Sequence, residues 1–177
     1  WNAVSGDPDT GNVGSLTLGT GSRLAANKVY VGTANEVLGA RSSQLIVESG
    51  AQLSTGAETL NIRYDGYVKF NGWDGKTVSN VTIFNVGGFA DVDAAHLTGN
   101  SLQVAADTTN PLYATAGAAK LTMTNGAELV LTGGIELGRK KNRHGILELD
   151  NAAVVSQSGI VYVGWDTTTP GEFGTGE

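Results

Sequence analysis

The stretch "KLTMTNGAELVLTGGIELG" (120–138) decides the fold, because a second version of it, "ILELDNAAVVSQSGIVYVG" (146–164), follows shortly after. In each, two apolar residues flank one other residue: Leu121/Met123, then Leu147/Leu149. A small residue comes next, Gly126 or Ala152. One apolar residue falls eight positions after the first, Leu129 or Val155. A second apolar pair closes the unit, Ile135/Leu137 or Val161/Val163, and a glycine follows it both times. The same grammar runs through "SLTLGTGSRLAANKVYVG" (15–32), with Leu16/Leu18, Gly21, Leu24 and Val29/Val31. It recurs in "QLIVESGAQLSTGAETLNIR" (44–63), with Leu45/Val47, Gly50, Leu53 and Leu60/Ile62.

Alternation at period two in short runs, broken by Gly, Asn and Ser, is the pattern of β-strands. No stretch carries apolar residues at the helical spacing i, i+3, i+4, i+7. Degenerate starts at Val68/Phe70 and near Val92 fill the gap between the second and third clear copies. Unit starts at 16, 45, 68, near 92, 121 and 147 recur every 26 or so residues, inside the range of stacked repeat architectures. A unit of three short strands cannot bury its inner face alone. Stacking units, each strand beside its equivalent in the next, builds parallel sheets around one continuous core. At about 4.8 Å per strand step, six or seven units make a rod of roughly 30 Å. The expected fold is therefore all-β: a parallel β-helix, or β-solenoid, of about six to seven turns occupying 1–177 as one domain. An antiparallel β-sandwich is the alternative, and Asp65-Gly66 in "IRYDGYVKF" is a good local hairpin signal for it. The solenoid is favoured because the repeat unit outlasts any single hairpin.

The pattern L-x-[LVM]-x-x-[GA]-[AS]-x-[LV] followed by V-x-V-G resembles the β-strand repeats of autotransporter passenger domains and related bacterial surface proteins. Its four clear copies cover somewhat under half the chain. That resemblance implies a right-handed helix, export, display at the bacterial cell surface, and adhesive or scaffolding roles. It brings no fixed catalytic residues. The closing "GEFGTGE" reads as a lead-in to another repeat, so the chain is expected to be a fragment of a longer repeat protein.

Composition removes several classes. Eleven Lys and Arg against 17 Asp and Glu give a net charge of −6, which argues against a nucleic-acid binder working through a basic face. There is no cysteine, hence no disulfide scaffold and no cysteine metal site. No apolar run approaches the length of a membrane span. Ordinary apolar content with low charge argues against disorder.

Candidate binding residues lie on outward strand positions and corner loops. Tyr30 and Tyr162 sit between the closing apolar pairs, in one column with Asn61 and Glu136. Tyr64, Trp73 and Trp165 add aromatic faces suited to stacking on sugars; Trp73-Asp74 and Trp165-Asp166 repeat the string Gly-Trp-Asp but at different places in the unit. The run "RKKNRH" (139–144) supplies Arg139, Lys140, Lys141 and Arg143, a local positive charge for an anionic polysaccharide or phosphate-bearing surface. No cofactor is expected. Calcium is the metal worth testing, at Asp91 and Asp93, which flank Val92 and would share a strand face. His96 and His144 read as loop residues. A paired-acid site would need Glu136 and Glu148 brought together across loops. The functional expectation is a non-enzymatic extracellular adhesion or surface-scaffold module whose partners are host or environmental glycans, surface proteins and the rest of its own polypeptide. A carbohydrate-binding module and a polysaccharide-degrading enzyme, lyase or hydrolase, are the alternatives.

Overall fold

The computed structural model describes residues 14–32, 43–56, 59–63, 66–72, 78–105, 118–139, 143–164 and 175–176. Among these the chain is all-β, with no helix. The first repeat is β1 (Ser15–Leu18), β2 (Arg23–Ala25) and β3 (Val29–Val31); the second is β4 (Ser43–Val47), β5 (Gln52–Ser54) and β6 (Thr59–Ile62). Then come β7 (Gly66–Asn71), β8 (Val78–Asn80) and β9 (Ile83–Val86), followed by β10 (Phe89–Asp93), β11 (His96–Gly99) and β12 (Ser101–Val104). The fifth repeat is β13 (Ala118–Thr124), β14 (Glu128–Leu131) and β15 (Ile135–Leu137). The sixth is β16 (His144–Asp150), β17 (Ala153–Ser156) and β18 (Val161–Val163), and β19 (Thr175–Gly176) starts a seventh.

Each strand pairs with the strand three places along, so the chain visits three sheets in rotation. Sheet A holds β1, β4, β7, β10, β13, β16 and β19, sheet B runs from β2 to β17, and sheet C runs from β3 to β18. Every pairing among the described residues is parallel. That arrangement is consistent with a β-solenoid and leaves no antiparallel sandwich among the described residues. The hairpin signal at Asp65-Gly66 fails for a simple reason. The strands on either side of it, β6 and β7, belong to different sheets.

The four clear sequence copies sit in register. Leu16 pairs with Leu45, Leu121 with Leu147, Val29 with Leu60 and Ile135 with Val161. Two positions shift. The fourth repeat starts at Ala90, which pairs with Val68 and Leu121, so Val92 is the second member of its pair. In the sixth repeat Val154, not Val155, pairs with Leu129, because the connection from sheet A to sheet B is one residue shorter there. Val154 packs on the core and Val155 is exposed.

Inward residues from all three sheets form one core cluster, including Leu45, Phe70 and Met123 from A, Leu53 and Leu129 from B, and Leu60, Phe84 and Leu102 from C. Phe70 and Phe84 meet edge to face with centroids 6.2 Å apart. In the next repeat the smaller Val92 stands beside Phe70, and Ala90 beside Val68. Large beside small keeps the interior filled without strain.

Two kinds of corner shape the backbone. Leaving sheet A, Gly21, Gly50, Gly72, Ala94, Asn125, Gly126 and Asn151 all have positive φ, and these corners hydrogen-bond from repeat to repeat, as in Gly72 N–H to the Asp93 carbonyl at 2.8 Å. Entering sheet A, the constraint is space. The positions just before the paired Tyr67, Phe89, Lys120 and Ile146 are Gly66, Gly88, Ala119 and Gly145. A Cβ on Gly66 would overlap the Val31 carbonyl oxygen, one on Gly88 that of Arg63, and one on Gly145 that of Val104. Backbone passes over backbone at that seam, and only the smallest side chains fit.

Gly88→Ala is expected to lower stability by about 1–3 kcal/mol through overpacking, read as a fall in the denaturation midpoint at unchanged m-value. Gly19→Ala, at an open position with no neighbour within 4 Å, should stay within about 0.5 kcal/mol of the parent. Equal losses from the two would show the seam to be unimportant. Conversely, Ala94→Gly removes a Cβ held at φ 51°. It should raise the unfolding free energy by about 0.5–1 kcal/mol, read as a higher midpoint, since a left-handed non-glycine residue costs about 1–2 kcal/mol and the added chain entropy returns only part of that.

Candidate functional site

Alternation places every second strand residue outward, and parallel pairing stacks those residues into columns. On sheet C the column reads Tyr30, Asn61, Asn85, Gln103, Glu136, Tyr162. The two tyrosines therefore stand at opposite ends, separated by five strand steps, roughly 24 Å. They cannot form one stacking platform. Tyr30 is half exposed, and the Arg63 guanidinium lies 4.6 Å from its ring centroid. Further along, Gln103 donates to Glu136 Oε2 at 3.2 Å while Arg139 Nη1 donates to Glu136 Oε1 at 2.7 Å. Arg139 is thus committed to a carboxylate of its own repeat, three residues back. Arg143 also has an interaction partner. The basic run is in this respect less available to an anion than its composition suggested.

Two buried polar atoms on this face have no hydrogen-bond partner among the described residues: Arg63 Nε and Asn85 Oδ1. Asn85 is only 6% exposed although it stands on an outward position. An unpaired buried donor or acceptor costs about 1–3 kcal/mol.

Sheet A carries a denser surface. Tyr67 and Phe89 pair across β7 and β10, with Lys69 opposite Asp91 and Asn71 opposite Asp93 on the same face. Asp91 and Asp93 share a face, as the alternation requires, yet each is already engaged. The Tyr67 hydroxyl donates to Asp91 Oδ2 at 2.7 Å. Asp93 Oδ1 accepts from Thr124 Oγ1 at 3.1 Å and from Asn125 Nδ2 at 2.7 Å. Asn71 donates to Glu48 at 2.8 Å, and Lys120 meets Glu148 at 2.6 Å. Among the described residues no three metal-ligating side chains converge, at the two aspartates or elsewhere.

Glu136 and Glu148 lie on different sheets, each held by its own cation, so the structure does not bring them together. His96 and His144 are strand residues, the first of β11 and β16, rather than loop residues. His96 Nδ1 lies 3.2 Å from Glu128 on the neighbouring strand of sheet B. Tyr64, Trp73, Lys140, Lys141 and Trp165 fall outside the described residues. Their positions in the order still separate the two Gly-Trp-Asp strings. Trp73 comes between β7 and β8, from sheet A to B, whereas Trp165 comes between β18 and β19, from sheet C to A.

The surface pair Tyr67 and Phe89 was missed by sequence reasoning because it falls in the two degenerate repeats. The signal was present as alternation in "GYVKF" and "GFADVD". What these faces offer chemically is a set of ladders whose side chains often bond the next rung. Each is suited to many shallow contacts along its length. No family model, curated protein or solved structure matches the chain, so these geometric features alone carry the functional reading.

Proposed function

We propose that the chain is a right-handed β-solenoid segment serving as a non-enzymatic adhesion or scaffold module at a bacterial cell surface. The observation that supports this most is the self-engagement of the outward acids. Asp91, Asp93, Glu136 and Glu148 are each bonded by a neighbour in the next rung or the next corner. Carboxylates fixed in this way brace a surface, and they are poorly placed to trade protons with a substrate. The ladders extend over six repeats, which favours contacts that are individually weak and numerous.

A second reading, a carbohydrate-binding module, is favoured by the Tyr30 end of sheet C. There an exposed ring backed by Arg63 stands next to the amide of Asn61 in the same outward column. A sugar hydroxyl both donates and accepts, and its ring stacks on tyrosine.

Binding of the monomeric chain and of a bead-displayed array to glycan and protein surfaces separates these readings. Adhesion through many weak contacts predicts an avidity gain of about 10²–10⁴ on display. Tight monomeric binding to a defined oligosaccharide, lost in Tyr30→Ala, would establish the carbohydrate module instead. Depolymerisation of any glycan would overturn the non-enzymatic assignment.

A further inference from the structure

In the middle of sheet A, the outward face of β7 and β10 gathers three chemistries within two rungs. Tyr67 and Phe89 are register partners, and so are Lys69 and Asp91 two residues further on. All four are partly exposed, while Val68 and Ala90 between them point into the core. The crossings that deliver the chain to these strands, residues 63–65 and 87–88, are too short to fold back over the face. Two aromatic side chains thus sit one strand step apart, about 4.8 Å at the backbone, beside a cation and an acid.

Lys69 and Asp91 do not bond one another, although the register sets them side by side. The Tyr67 hydroxyl reaches diagonally to Asp91 Oδ2 at 2.7 Å, which orients the carboxylate and leaves Oδ1 open among the described residues. Lys69 makes no hydrogen bond or ion pair among the described residues. The other cation of this face, Lys120, is taken by Glu148. An oriented acceptor and an unspent donor therefore stand next to an aromatic pair. A pyranose ring meets all three at once. One hydroxyl donates to Asp91 Oδ1, its neighbour accepts from Lys69 Nζ, and the C–H face of the sugar packs on the rings. Both polar contacts are charge-assisted, the stronger kind of hydrogen bond. The surrounding charge selects a neutral sugar. Glu48, Asp91, Asp93 and Glu148 outnumber Lys69 and Lys120 on this face, so an acidic chain is repelled along its length. A basic peptide would have to approach an ammonium that no carboxylate neutralises.

We propose that Tyr67, Lys69, Phe89 and Asp91 form a binding site for a neutral pyranose oligosaccharide on sheet A. The site rests on the carbohydrate-binding reading for its class of ligand alone. Its residues lie on a different sheet from Tyr30 and Asn61, so the two surfaces stand or fall separately.

Titration of the isotope-labelled chain with cellohexaose, xylohexaose and, as an acidic counterpart, hexagalacturonate tests this by nuclear magnetic resonance. A neutral hexasaccharide should move the backbone amides of β7 and β10 saturably and leave those of Tyr30 and Asn61 in place. Lys69→Met keeps the apolar stem and removes the donor. It should weaken binding about tenfold or more, as losing a hydrogen bond from a charged group does, whereas Lys69→Arg should keep most of the affinity. Phe89→Leu should cost about two- to tenfold through lost stacking, and Tyr30→Ala should change nothing. Circular dichroism checks that each variant keeps its β signal, and the amide map on the parent chain needs no variant at all. No binding of either neutral sugar at about 10 mM, where even a millimolar Kd is nearly saturated, overturns the proposal. So do shifts confined to the Tyr30 face, tighter binding of the galacturonate, or a Lys69→Met chain that binds like the parent. Shifts at the Tyr30 face alone would uphold the sheet C reading while sinking this one, and the avidity measurement judges adhesion independently of both.

Discussion

Parallel backbone pairing between one repeat and the next is the interaction on which everything else rests. A three-residue strand such as β3 or β15 has no hydrogen-bond partner within its own repeat. Its donors and acceptors are satisfied only by the equivalent strand above or below, so register between repeats must be kept. Once it is kept, columns of like position follow. Inward columns become the core, outward columns become ladders, and corners stack on corners. Even side-chain chemistry obeys this rule: the bonds Tyr67–Asp91, Thr124–Asp93 and Gln103–Glu136 all link adjacent rungs.

The repeat was legible wherever its apolar positions were intact. Leu121/Met123 and Ile135/Leu137 announced both their strands and their partners, and the glycines after the closing pairs fell on corners of positive φ at Gly32, Gly138 and Gly164. Legibility faded in the middle for physical reasons. In the third repeat Ser79 stands in the register position held elsewhere by Leu24, Leu53, Leu97 or Leu129. The fourth repeat opens on Ala90, a small residue in the register position that Val68 and Leu121 hold in the repeats on either side. Its closing corner uses Ala105 at φ 54° where a glycine would be expected. Repeats can differ in this way because packing is judged over neighbouring rungs together, while sequence comparison judges each rung alone.

The surface was less legible than the core. Alternation told which side chains point outward, and hence that Asp91 and Asp93 share a face. It could not tell that Tyr67 and Asn125, which lie 24 and 32 residues away in sequence, had already taken their oxygens. The same holds for Arg139, which looked like part of a free basic run and is bonded to Glu136 three residues back. Composition counts charges, whereas the columns decide which of them remain available.

The narrow seam at the entry to sheet A has an implication for how such a chain can lengthen. Between β9 and β10 the crossing takes only Gly87 and Gly88, yet between β12 and β13 it spans residues 105–117. Both crossings deliver the chain to the same register on sheet A. Extra residues can therefore enter on this edge while the interior columns keep their alignment, at an entropic cost that grows only slowly with loop length. One edge of the molecule is free to diversify, and the inner columns hold the scaffold constant beneath it.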